Sequence, residues 1–246
     1  MKLWAGIVLA AAASTAVAQS SPTVSRALAD PARADQAGDD ARRQAAPVVA
    51  FSGAKPGDRV IDFLPGSGYW SRIFSGVVGP RGRVFALWPA AAGGSERAKA
   101  SQAALAGRKL ANVSADIQPT NLPTAPAGGP VDLFWTVQNY HDIPNRGAGE
   151  PALRSFNQAV FNVLKPGGTF VVIDHADGAG AGLSHTETTH RIEAAAVRRQ
   201  VEAAGFRFAG ESRVLRNPAD DHSANVFDAS IRGHTDQFVY KFRKPG

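Results

Sequence analysis

The amino-acid sequence predicts an α/β fold, a doubly wound and mostly parallel sheet with helices on both faces. Three observations point to it. Short apolar runs alternate with Ala-rich helical stretches from about residue 60 onward, the rhythm of strand–helix–strand units. Turn sequences stand directly before three of the runs: Lys55-Pro56-Gly57-Asp58, Pro80-Arg81-Gly82 and Lys165-Pro166-Gly167-Gly168. The last two strand-like segments, Gly205 to Val214 and Gln237 to Phe242, have no helical stretch between them. They are therefore expected to pair antiparallel at one edge.

The elements follow in order. Residues 19–30 are Ser-, Pro- and Ala-rich and are expected to be loose. From Asp30-Pro31 to about Phe51 the pattern reads as a helix, with Asp30 as cap and Pro31 in the first turn. Val60 to Leu64 reads as a buried strand, and Tyr69 to Val77 as a helix behind the turn Pro65-Gly66-Ser67-Gly68. Val84 to Leu87 is a strand, Ser95 to Leu110 a helix and Val113 to Ile117 a strand. A Pro- and Gly-rich loop, Pro119 to Pro130, leads to strand Val131 to Val137. Pro151 to Leu164 is a helix, Thr169 to Ile173 a β-branched strand and Glu187 to Ala204 a helix.

The 246 residues carry 27 Lys and Arg against 21 Asp and Glu, with 44% apolar and 20% charged residues. This is a globular composition, long enough to bury a real core. The absence of cysteine removes disulfides, thiolate metal sites and cysteine nucleophiles together. Met1-Lys2, the apolar run Leu3 to Ala13 and the small-x-small site Ala16-Val17-Ala18 have the layout of a secretory signal peptide. The apolar run is too short to span a membrane, which takes about 20 residues. The expected organisation is a signal peptide at 1–18 cleaved near Ala18, an N-terminal segment at 19–50 and one domain at 51–246. The product is expected to be periplasmic or secreted, without stable membrane insertion. Basic residues are scattered, with only doublets at Arg42-Arg43 and Arg198-Arg199, so nucleic acid is not an expected partner.

Ligands of such sheets bind beyond the carboxyl ends of the strands. The first strand ends in Asp62-Phe63-Leu64-Pro65-Gly66-Ser67-Gly68-Tyr69, a glycine turn between strand and helix. A second constellation, Asn139-Tyr140-His141-Asp142, follows the fourth strand, and Asp174-His175 ends the fifth. His141, Asp142, Asp174 and His175 are the candidate catalytic residues, since a His or Asp there can take a proton from a hydroxyl or amine. Tyr140 is placed to line the pocket. His185, Glu187 and His190 follow closely and, with His141, Asp174 and His175, are ordinary nitrogen and oxygen ligands for a metal. No tight ligand spacing is present, so no metal is assigned. The plainer reading starts a helix at His190-Arg191 and pairs it locally with Glu187 or Glu193. The polar insertion from Asn217 to Gly233 reads equally as a lid or as a surface excursion. No Gly-x-Ser-x-Gly elbow and no phosphate-binding loop occurs.

Three stretches resemble the class I S-adenosylmethionine-dependent methyltransferases: Asp62 to Gly68, Leu164-Lys165-Pro166-Gly167-Gly168-Thr169-Phe170-Val171-Val172 and Ala203-Ala204-Gly205-Phe206. The resemblance covers about Ala50 to Lys244. More narrowly, Asp174-His175, His190-Arg191-Ile192 and Asp236-Gln237-Phe238 are similar to a group of exported methyltransferases of unassigned substrate. The resemblance implies a Rossmann-like seven-stranded sheet with its last strand reversed. It also implies S-adenosylmethionine as cofactor, held by Asp62, Leu64, Pro65, Gly66, Ser67, Gly68 and Tyr69, and transfer to a small-molecule acceptor. Some catechol-type members carry metal carboxylates after the fourth and fifth strands, similar in position to Asp142 and Asp174.

The chain departs from the family pattern at three places. Leu64 replaces the first glycine of the loop, and Trp88 stands where an acid usually grips the ribose hydroxyls. Gln118-Pro119 stands where an acid usually meets adenine. A lost charge-assisted contact to the ribose weakens binding by roughly 1.5–3 kcal/mol. Trp88 can instead stack on adenine. The sequence therefore supports an exported methyltransferase first. A non-catalytic ligand-binding protein on the same fold is the second reading, and a His/Asp metal-dependent enzyme the third.

Overall fold

The computed structural model describes residues 21–246, so the signal segment expected at 1–18 lies outside the described residues. Seven strands form one sheet: β1 (Arg59–Phe63), β2 (Arg83–Trp88), β3 (Val113–Ile117), β4 (Val131–Val137), β5 (Leu164–His175), β6 (Arg207–Ser212) and β7 (Gln237–Arg243). Their order is β3-β2-β1-β4-β5-β7-β6. The first five pair in parallel, and β7 runs antiparallel between β5 and β6. The expected α/β class, the mostly parallel sheet and the reversed last strand are all present. Strand order reverses between β1 and β4, and that point is where such sheets bind ligands.

Both faces of the sheet are covered, which is why its strands read as continuous apolar runs rather than as alternation. On one face Ile61, Phe134, Phe170 and Phe242 meet α6 (Gly149–Val163) and α7 (Ala194–Ala203) through Leu153, Phe156, Val160 and Val197. On the other face Val60, Leu133, Trp135 and Val171 meet α1 (Pro22–Leu28), α2 (Ala45–Ser52) and α3 (Tyr69–Val78). A short turn of helix, α4 (Ala90–Gly93), leads to α5 (Glu96–Gly107), whose Ala98 and Leu105 cover Ala86 and Trp88.

Three expectations need correction. Residues 22–28 are helical rather than loose. Ser21 caps α1 by accepting from the Val24 N–H, and Val24 and Ala27, one turn apart, are buried. The long helix expected from Asp30 to Phe51 is broken. Arg33 turns inward to donate to the Leu28 carbonyl and to both carboxylate oxygens of Asp40, folding the segment into short 3-10 turns. Gln44 then takes a left-handed conformation (φ 47°), and α2 begins only at Ala45. The helix expected from Glu187 begins at Ala194. Before it, His190 is left-handed (φ 57°) and Ile192 bridges to Ala176, so the chain runs along the end of β5 instead of coiling. The reading of His190-Arg191 as a helix start is therefore overturned. β5 also extends past the expected Thr169–Ile173 at both ends, with Lys165-Pro166-Gly167-Gly168 taken up by a register shift against β4. Among the described residues, no helix is long and apolar enough to cross a membrane.

Candidate functional site

The glycine loop joins β1 to α3. Leu64, Gly66 and Gly68 are all left-handed, with φ of 56°, 55° and 75°. Leu64 thus keeps the backbone shape that a glycine adopts freely, at a steric cost for its own Cβ. Its side chain packs against both the main cluster and the small one under α5. At Gly68 the space is also closed, since an added Cβ would sit 2.8 Å from Leu105 Cδ1.

Asp62 lies beneath this loop. Its carboxylate is buried and accepts from Ser71 Oγ at 2.6 Å. Burial pushes the carboxyl up to about 7, against the opposing hydrogen bonds from the Ser71 side chain and N–H. Pro65 is buried, and Ser67 faces out and accepts from Gln36 Nε2 through its hydroxyl and carbonyl. The Tyr69 hydroxyl donates to Asp40 at 2.6 Å, and the Arg43 guanidinium stands 4.6 Å from its ring centre. Asp35, Gln36, Gly38, Asp39, Ser67 and Tyr69 line a hollow of about 470 Å3 between the loop and the N-terminal segment. Trp88 is 2% exposed and packs with Ala98 and Leu105, so its ring is walled in by α5. Gln118 is also buried and donates to Thr124 Oγ1.

The second constellation assembles at the ends of β4 and β5. Asp174 is fully buried and accepts three hydrogen bonds of 2.8 Å, from the His141 N–H, from His141 Nδ1 and from the His175 N–H. Burial works to raise its pKa, but the His141 charge and hydrogen bonds outweigh burial and hold the carboxyl below its ordinary value. His141 is correspondingly raised, its own burial being overcome by Asp174. With Nδ1 committed to Asp174, the His141 lone pair sits on Nε2. His175 meets Thr235 Oγ1 through Nδ1 at 2.7 Å, and burial pushes this imidazole down to about 4. The two rings are 5.9 Å apart.

Asp142 and His190 stand at the open side. Asp142 Oδ1 lies 3.4 Å from His141 Nε2 and 3.7 Å from His190 Nδ1, and the three residues have ligand-type atoms within 4.8 Å of one another. The other candidate metal ligands do not join them. His185 pairs with Asp177, and Glu187 accepts from the Arg146 N–H. Tyr140 does not line an opening, because it is wholly buried against Phe156 with its hydroxyl accepting from Asn157.

Three contributors escaped the sequence reading, and a fourth, Asn139, was named there without a role. Asn139 Nδ2 donates to the carbonyls of Val137 and Leu64, tying the end of β4, from which the chain leads to His141, to the glycine loop. Thr235 orients His175. The buried pair Arg191–Asp220 anchors the insertion that precedes β7, and Asp220 in turn accepts from the Asp236 N–H. Phe227 of that insertion, largely exposed, places its ring 5.0 Å from that of His190. Asn139 stood beside two named candidates in the sequence. The other three lie far along the chain from the groups they serve.

No family model matches the chain. A curated relative, the ubiquinone/menaquinone biosynthesis C-methyltransferase UbiE of Ectopseudomonas mendocina, is 26% identical over 194 residues, which is 79% of this chain. The chain spans 66% of the length of that relative. Among solved structures, a SAM-dependent methyltransferase from Aquifex aeolicus matches with TM-score 0.58 and 18% identity, covering 89% of this chain and 97% of its own. The 4+2 cyclase SpnF matches with TM-score 0.60 and 17% identity, covering 88% of this chain and 86% of its own. These likenesses place the chain on the class I S-adenosylmethionine-dependent methyltransferase fold. The cyclase among them shows that this fold alone does not fix a reaction.

Proposed function

We propose that this chain binds S-adenosylmethionine at the loop from Asp62 to Tyr69 and at the end of β2. We further propose that it transfers the methyl group to a small acceptor held by His141, Asp142 and His175, with the fully buried Asp174 positioning His141 behind them rather than touching the acceptor. One observation carries the reading: the side chain of Asn139, two residues before His141, ties the glycine loop to the end of β4 across the switch point between β1 and β4. A cofactor on the loop and an acceptor on the cluster would then be neighbours. Methyl transfer is an in-line displacement, so most of the rate comes from holding the two reactants in line. The acceptor hydroxyl or amine loses its proton to His141 Nε2, which Asp174 orients and makes more basic, while His175, held by Thr235 and kept neutral by burial, lines the same end of the sheet. We also propose export after cleavage near Ala18, which cell fractionation of the source organism tests. Retention of an uncleaved chain in the cytoplasm overturns it.

Calorimetric titration with S-adenosylmethionine and S-adenosylhomocysteine tests the cofactor assignment. Micromolar binding is expected, and Gly66→Ala, strained at φ 55°, should weaken it. A folded chain with no binding up to millimolar ligand overturns the methyltransferase reading. It would favour the second one, a ligand-binding protein without transfer. That reading has the buried Trp88 on its side, since a ring closed in by Ala98 and Leu105 occupies the place of the usual ribose acid.

A further inference from the structure

We propose that His141, Asp142 and His190 form a site for one first-row divalent metal ion. The distances are the first argument. Asp142 Oδ1 is 3.4 Å from His141 Nε2 and 3.7 Å from His190 Nδ1. Both separations exceed a good N–H···O hydrogen bond. They are close to the edge of a tetrahedron of ligands around a zinc-like ion, roughly 3.4 Å for metal–ligand bonds of about 2.1 Å.

The second argument is the support behind the ligands. Asp174, with no exposed surface, takes His141 Nδ1 at 2.8 Å, the outer carboxylate that orients a metal-bound imidazole and fixes its tautomer. His190 is braced edge-on by Phe227 at 5.0 Å and by His141 at 5.5 Å between ring centres. Asn145 Nδ2 donates to Asp142 Oδ1 at 3.1 Å and fixes the carboxylate. Two imidazoles and one carboxylate suit zinc, manganese, iron or cobalt, and three protein ligands leave positions open for water or substrate.

This inference rests on the acceptor reading of the same cluster and names the acceptor class, a molecule that presents an oxygen to the ion. A hydroxyl bound there is acidified. With His141 engaged as a ligand, the proton leaves to solvent at the open side, where Asp142 and His190 are partly exposed. The new O–CH3 bond forms as the S–CH3 bond breaks, and the sulfonium leaves as a neutral thioether.

The test uses the full chain, stripped with chelator and titrated with Co2+ by visible absorption and with Zn2+ by calorimetry, without adenosyl ligand. One ion per chain is expected. His190→Ala and Asp142→Asn should each weaken binding about tenfold or more. His185→Ala, on a His–Asp pair outside the cluster, should leave it unchanged. His190 and Asp142 are partly exposed, so circular dichroism is expected to show both variants folded. No stoichiometric uptake, or equal affinity in the folded His190→Ala variant, overturns the site. A parallel titration of the same samples with S-adenosylhomocysteine separates the two ideas. Ion uptake without adenosyl binding removes the methyltransferase reading and leaves the metal site. Adenosyl binding without ion uptake does the reverse.

Discussion

The two halves of the site are built differently. The glycine-loop half is made by the backbone: three left-handed residues within Leu64 to Gly68, resting on Asp62 and Ser71, which are near neighbours in sequence. The imidazole half is made by side chains that meet across 33 residues from His141 to Asp174 and 60 from His175 to Thr235. A site made of backbone is sensitive to an added Cβ and indifferent to most distant changes. A buried side-chain network is sensitive to the loss of any one member, because each lost partner strands another polar group away from water.

The largest effect that would sharpen this contrast is expected at Asp174. Asp174→Ala leaves three buried donors and an uncompensated His141, at a cost of about 3–5 kcal/mol. Urea unfolding should show the loss, and a change under about 1 kcal/mol would mean that the network is not cooperative.

Asp62→Asn comes next, and its effect depends on pH. The folded-state carboxyl is raised from 3.8 to about 7, so the folded chain holds a proton that the unfolded chain has released between those values. Stability tied to that proton is fully present below about pH 4 and is lost as pH rises through about 7. The asparagine variant should therefore match wild type near pH 4. At pH 8 it should be more stable, by up to about 4 kcal/mol, as judged by denaturant midpoints across the range. A pH-independent difference would mean that Asp62 is ionised throughout.

Gly68→Ala should cost about 1–2 kcal/mol from its left-handed backbone, with Leu105 forced to shift. The same exchange at the exposed Gly38, which has open space around it, should cost clearly less, and equal losses would contradict a backbone-built loop.

The smallest effect is expected at Asp35, which hydrogen bonds to Arg72 and Arg108 hold well below the usual carboxylate range. Asp35→Asn should leave global unfolding unchanged. It should speed hydrogen exchange in residues 31–44 in a salt-dependent way, because the Asp35 carboxylate is half exposed and salt screens its pairing with the buried Arg72 and the exposed Arg108.

How much was legible follows the same division. β1 and α3 fall within one residue of their expected ends, since apolar runs and flanking glycines are local signals. The helix expected from Asp30 to Phe51 failed because Arg33 reaches Asp40 and Leu28, a preference for burial that no propensity expresses. His141, Asp142, Asp174 and His175 could be named from the sequence because they sit at strand ends, where topology gathers groups. Thr235, Phe227 and the Arg191–Asp220 pair could not, because Asp220 and Phe227 lie in a polar insertion without periodicity, Thr235 just beyond it and Arg191 in the irregular run before α7.

The sequence by itself determined the alternation of strands and helices, the two apolar faces and the glycine turn after β1. Each depends on residues a few positions apart, whose backbone preferences and hydrophobic spacing act before the chain folds. Only the tertiary structure decided that Trp88 is enclosed by α5, that Tyr140 belongs to the core and that Asp174 holds both His141 and His175. Those outcomes depend on register. β7 pairs with β5 so that His175 stands opposite Gln237, which brings Thr235 to the imidazole. A pairing between segments 60 residues apart is set by the packing of the whole sheet, where burial of many side chains outweighs any local preference.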